Sequence, residues 1–233
     1  MSLLGRRSAA EFFGTAFLVM AVVGSGVMAS RLSPDDAGLQ LLQNSLATGA
    51  ALVALILALQ PVSASFNPVV TLVERALGMI DTRTAAGLVA AQLAGGLAGT
   101  VAANLMFGLD AVTFSTHQRT GAGLWLGEVI ATIGLLLIVF GTVRSGRADR
   151  VAFAVGGYIT AAYWFTSSTS FANPAVTIAR TVTDTFAGIA PPSAPAFILA
   201  QLLGGAAGYV LVRFLYPTIA TPAVATADRK VLS

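Results

Sequence analysis

The chain has no cysteine. That excludes disulfides and thiolate metal sites, and it removes any clue to redox compartment. It has a single histidine, His117, which lies between apolar stretches and cannot form a metal site alone. Charge is scarce as well. Asp, Glu, Lys and Arg make up 10% of the 233 residues, and the net charge is only +3. The basic residues are scattered through short connecting segments, which does not suit nucleic acid. No nucleophile–base set is evident, so neither an enzyme nor a cofactor is expected.

What the chain does have is apolar sequence. It is 56% hydrophobic with a mean hydropathy of +0.82, the profile of an integral membrane protein. Windows near the ~20 residues needed to cross a bilayer fall at roughly 8–29, 38–60, 84–107, 121–143, 151–167 and 195–216. Arg6-Arg7 before the first window imitates a signal peptide, but the run from Ser8 to Ser30 is long for one and Glu11 interrupts its start. It is read as the first span. The last stretch, Thr218 to Ser233, reads as a mobile tail.

Two short segments are left over, 67–78 and 173–184. Each opens with Asn-Pro: Asn67-Pro68-Val69 and Asn173-Pro174-Ala175. Asn is a good helix N-cap, and Pro suits the first turn because the N–H it lacks would be unpaired there anyway. At ~10–12 residues, or ~15–18 Å, each segment reaches about halfway through a ~30 Å hydrocarbon core. A helix start at that depth leaves backbone N–H groups without helical partners, at several kcal/mol each in lipid. It is tolerated where it lines a watery cavity. The segments therefore read as half-helices entering a pore from either side.

The chain also reads as a duplication. Glu11 opens the first span and Glu128 the fourth. Gln92-Leu93-Ala94-Gly95-Gly96 in the third resembles Gln201-Leu202-Leu203-Gly204-Gly205 in the sixth. Three spans per half is an odd number, so the second copy enters upside down and gives inverted repeats at about 8–107 and 121–216 within one channel domain, 1–233. Arg6, Arg7, Arg75, Arg83, Arg144, Arg147, Arg150, Arg229 and Lys230 fall on one side, with Arg213 at the end of the last span; Arg31, Arg119 and Arg180 fall on the other. By the positive-inside tendency both termini are cytoplasmic.

Six spans, an inverted repeat and two Asn-Pro half-helix starts resemble the aquaporin, or major intrinsic protein, family, over about residues 8 to 216. The resemblance implies an all-α membrane fold of six transmembrane helices plus two half-helices, a pore in each subunit and a homotetramer in the cell (inner) membrane. The physics agrees: two helix N-termini meeting at Asn67 and Asn173 each carry roughly +0.5 charge and repel cations. The Asn amides can donate to a passing oxygen, so neutral, oxygen-bearing solutes are favoured.

The sequence departs from the family pattern in three places. Val69 replaces the usual Ala, which predicts a local packing change. Ser65 stands where many members have His. Val176 stands where typical water and glycerol channels have the arginine that narrows the outer mouth. Ungapped spacing from the family pattern gives a selectivity filter of Ala47, Ala161, Ser170 and Val176, with neither ring nor fixed charge. The region 173–177 also looks like that of bacterial channels associated with arsenic resistance. The resemblance thus implies a wide, passive, aquaglyceroporin-like channel for water, glycerol, urea and arsenite, which is a neutral triol at neutral pH. The alternative is a water or glycerol channel in which Arg180, one turn past Val176, completes the filter. Arg180 could instead snorkel at the outer surface, tie down a loop, or pair with Asp184. A coupled secondary transporter is the reading from another class.

Other residues carry double readings. Glu11 and Glu128 could relay protons; their symmetric placement favours a role accepting hydrogen bonds from the backbone that leads to each half-helix. Gln92 and Gln201 read as interhelical glue. The glycine clusters read as close helix contacts. Tyr163, Trp164 and Phe165 could line the outer vestibule or form an interfacial belt. Ser167 to Ser170 read as pore lining. His117 could gate by pH, though an ordinary loop histidine is the simpler expectation.

Overall fold

A computed structural model describes residues 2–217. Arg229, Lys230 and the tail from Thr218 lie outside the described residues. The described chain is helical: α1 (Leu3–Leu32), α2 (Ala37–Leu59), α3 (Pro68–Ala76), α4 (Thr82–Met106), α5 (Ala122–Arg144), α6 (Val151–Phe165), α7 (Pro174–Ala179) and α8 (Ala194–Leu215). Side-chain caps fix where several begin. Ser2 accepts from the Gly5 N–H, Asp36 from Leu39 and Asp81 from Thr84. Each satisfies one of the N–H groups that a helix start leaves unpaired.

Among the described residues, five helices are long and apolar enough to cross a membrane: α1, α2, α4, α5 and α8 with the 3-10 turn before it. The chain is a multi-pass membrane protein. Two lengths differ from expectation. The fifth span, expected at 151–167, is a 15-residue α-helix with one 3-10 turn, Ala148–Arg150, ahead of it. It stops at Thr166, whose hydroxyl bonds back to the Ala162 carbonyl as the backbone turns extended. The second half-helix, expected over 173–184, has only six α-helical residues, followed by a 3-10 turn, Arg180–Val182.

Small residues set the spacing of the bundle. α1 packs along α4, where a Cβ on Gly95 would sit 2.2 Å from the Phe12 carbonyl oxygen and one on Gly99 would sit 2.3 Å from that of Ala16. α5 packs along α8 in the same manner, with Gly204 against Val129 and Gly208 against Leu136. α2 crosses α6 where Gly49 meets Gly156. Such contacts let backbones approach closely, which drives association where lipid is as apolar as the side chains. Outward-facing Phe13, Phe17, Leu199 and Phe214 stay exposed, as a bilayer requires.

Candidate functional site

α3 and α7 meet tip to tip at the centre. Asn67 caps α3, accepting from the Val69 N–H at 2.9 Å. Asn173 caps α7, accepting from Ala175 at 3.0 Å and Val176 at 3.2 Å. Pro68 and Pro174 take the first helical positions. Each asparagine also reaches across: Asn67 Nδ2 donates to the Ala172 carbonyl and Asn173 Nδ2 to the Phe66 carbonyl, both at 2.7 Å. The two tips are thus bonded reciprocally, and each amide keeps one further N–H.

Phe66 and Ala172, directly before the caps, have left-handed backbones with φ of 47° and 48°. That conformation is costly for a residue with a Cβ and persists only where its surroundings hold it. Two buried carboxylates hold it here. Glu11 accepts from the Phe66 N–H at 2.7 Å, the Ser65 N–H at 2.8 Å and the Ser63 hydroxyl. Glu128 accepts from Phe171 at 2.9 Å and Ala172 at 2.8 Å. Gln92 then donates to Glu11 and to the Thr71 hydroxyl on α3, while Gln201 donates to Glu128 and to Thr177 on α7. Both glutamates are thus braces for the entering backbone.

A cavity of about 280 Å³ runs past both caps. At one end stand Arg7, Gln60, Ser65 and Glu74; at the other stand Ser170, Val176 and Arg180. Between them Asn67 and Asn173 face an apolar wall that includes Leu18, Val22, Leu52 and Leu135. Glu11 and Glu128 are not among the lining residues. Ser170 has a left-handed backbone, and its buried hydroxyl finds no protein partner, so a solute in the cavity can bond to it. Val69 and Ala175 lie behind the caps, against Gly205 and Gly96 respectively.

Four sequence expectations are corrected at the Arg180 end of the cavity. Ala47 is half-buried and does not line the cavity; its neighbour Thr48 does. Ala161 faces outward, and Ile159 and Tyr163 take the lining positions on α6. The Tyr163 and Thr48 hydroxyls lie 3.2 Å apart, within hydrogen-bond distance. The mouth therefore contains rings, Tyr163 and Phe171, and a fixed charge, Arg180, contrary to the ring-free and charge-free filter expected.

Nor does Arg180 snorkel: it is 3% exposed. Its Nε donates to the Ala187 carbonyl, and its guanidinium lies 3.5 Å from the Phe171 ring centroid. Arg180 does not pair with Asp184, which instead accepts from the backbone N–H and hydroxyl of Thr116. Trp164 and Phe165 point outward. His117 is exposed, and its backbone carbonyl accepts from the Ala190 N–H.

Little in the sequence marks what holds the end of α7. Thr100 donates to the Ala179 carbonyl at 2.9 Å. Asn104 donates to the Val182 carbonyl and accepts from the Thr183 hydroxyl. Thr100 and Asn104, four residues apart on an otherwise small and apolar stretch of α4, are the available signal.

The family model "Major intrinsic protein" matches residues 2–151 and 144–232. The chain is 50% identical to the aquaglyceroporin AqpS of Rhizobium meliloti (strain 1021) over 213 residues, 91% of each chain. Its fold is similar to the X-ray structure of the aquaglyceroporin from Plasmodium falciparum, with a TM-score of 0.72 and 18% identity over 92% of this chain and 98% of that one. Two asparagine-capped half-helices joined tip to tip, beside a cavity through the bundle, thus coincide with a match along nearly the whole sequence: the chain belongs to the major intrinsic protein family.

Proposed function

We propose that the protein is a passive channel for small neutral solutes, glycerol among them, and that its outer filter is formed by Thr48, Tyr163, Ser170, Val176 and Arg180. The observation that carries this reading is the cavity itself. One wall is apolar, while the Asn67 and Asn173 amides offer donors on the other. A polyol presents the complementary pair of faces, carbon on one side and hydroxyls on the other. A cation finds two helix N-termini and the Arg180 guanidinium, all of the wrong sign.

Val176 leaves room that an arginine at that position would fill, and Arg180 supplies a guanidinium one turn further out. Arsenite, a neutral trihydroxide comparable in size to glycerol, fits the same chemistry and is proposed as a second solute. A coupled transporter is disfavoured because no carboxylate lines the cavity at its midpoint; Glu74 stands at one end. The arginine distribution supports an inner-membrane protein with both termini cytoplasmic. Membership of the family supports assembly as a homotetramer.

Proteoliposomes test this directly. Glycerol and arsenite should enter down their gradients, with flux linear in concentration and indifferent to a proton gradient. Saturation at low solute concentration, or dependence on the proton gradient, would instead establish a carrier.

A further inference from the structure

We propose that Arg119, in the loop between α4 and α5, is a positioning residue that sets how far Arg180 projects into the outer mouth, and with it the size of solute admitted. This rests on the reading of Arg180 as a filter residue.

The two arginines share both of their supports. Arg180 lies over the Phe171 ring at 3.5 Å, and Arg119 lies over the same ring at 5.1 Å. Phe171 cannot swing away from them. Its backbone N–H is bonded to Glu128, and its ring meets Phe197 edge-on at 5.2 Å. The second shared support is the turn at 186–188. Arg119 Nε donates to the Gly188 carbonyl at 2.9 Å and its Nη2 approaches the Phe186 carbonyl at 3.5 Å, while Arg180 Nε donates to Ala187 between them. Arg119 is itself anchored, its backbone N–H bonded to the Ser193 hydroxyl at 3.1 Å.

No carboxylate forms an ion pair with either guanidinium among the described residues. Two like charges therefore stand against one ring and one turn in a poorly solvated site, where charges interact strongly. Arg119 occupies the Gly188 and Phe186 carbonyls, which leaves Arg180 the Ala187 carbonyl alone. Its charge also disfavours withdrawal of Arg180 toward the loop. Arg119 does not line the cavity, so it acts on solute only through Arg180 and Phe171.

The test is a polyol size series, glycerol against erythritol, measured by stopped-flow swelling of proteoliposomes holding the wild type, Arg119→Gln, Arg180→Gln and the double variant. Removing Arg119 should let Arg180 retract and raise the erythritol-to-glycerol permeability ratio about threefold or more, a coupling of ordinary size for neighbouring residues. Arg180→Gln should raise it further, and the double variant should match Arg180→Gln alone. The ratio is independent of how many channels reach the membrane. If Arg119→Gln scales both solutes equally, or adds in full to Arg180→Gln, the positioning role is wrong while the filter reading stands. If Arg180→Gln leaves the ratio unchanged, the filter reading fails and takes the positioning role with it. Should Arg119→Gln not assemble, Arg119→Lys keeps the charge but loses the planar contact, and an unchanged ratio there together with an unchanged ratio in Phe171→Leu would overturn the proposal.

Discussion

Val69 fills the notch left by Gly205: a Cβ on Gly205 would stand 2.7 Å from Val69 Cγ1. The methyls that set this first Asn-Pro segment apart from the usual Ala are taken up by α8 and not by the cavity. Gly205→Ala should destabilise the protein by ~1–3 kcal/mol, the usual cost of overpacking. Val69→Ala in the same chain should recover most of it. Thermal unfolding in detergent for the two single variants and the double would show the pair to be independent if the losses simply add.

Asn173→Asp removes the donor to the Phe66 carbonyl and places a carboxylate between the helix tips. Glycerol flux should fall and cation leak should rise. Potassium-diffusion-potential measurements on vesicles would reveal the leak; cation exclusion as tight as in the wild type would contradict the electrostatic account of the midplane.

Glu128 accepts from two backbone N–H groups and from Gln201 without donating. Glu128→Gln turns one of these contacts into donor against donor, at ~1–3 kcal/mol for a buried group left unpaired. The loss should appear as a lower melting temperature together with reduced solute flux. A proton relay would instead leave stability intact and alter pH-dependent proton flux.

Val176→Arg puts a second guanidinium in the mouth beside Arg180. Flux of erythritol and arsenite should fall more than that of water. Equal proportional loss for all three would argue against Val176 as a filter residue.

Asp184 tethers two loops through Thr116, whose backbone N–H holds the Asp184 carboxyl below the usual carboxylate range. A group with a depressed folded value adds stability above its ordinary value and loses it as pH falls through the folded one. Protection factors for hydrogen exchange at residues 113–117, corrected for the intrinsic rate at each pH, should therefore be high at neutral pH and fall only in strong acid. Asp184→Asn should show low protection at both.

The framework of the pore was legible because its elements are local and occur twice. An Asn-Pro pair caps a helix wherever it occurs, and the glutamates and glutamines fall at matching places in each half. The mouth was less legible. One residue's slip along a helix turns a side chain by about 100°. In apolar spans such as α2 and α6 neither face is marked by polarity, so Ala47 and Ala161 were placed where Thr48 and Tyr163 stand. Arg180 could be put near Val176 by spacing alone. Its choice between mouth, surface and loop depended on Ala187 and on Phe171, whose position follows from the left-handed turns at Thr169, Ser170 and Ala172. Nothing in a string of Ser and Thr announces those turns.

The crossed bonds of the two asparagines also bear on biogenesis. The carbonyl that satisfies Asn67 belongs to Ala172, and the amide that satisfies Phe66 belongs to Asn173. Those partners are synthesised more than a hundred residues apart. While the ribosome is still making the second half, the first holds an unmated tip in the bilayer. Until its counterpart arrives that tip needs water or another partner, so completion of the centre waits on the second half and ties the maturation of each half to the other.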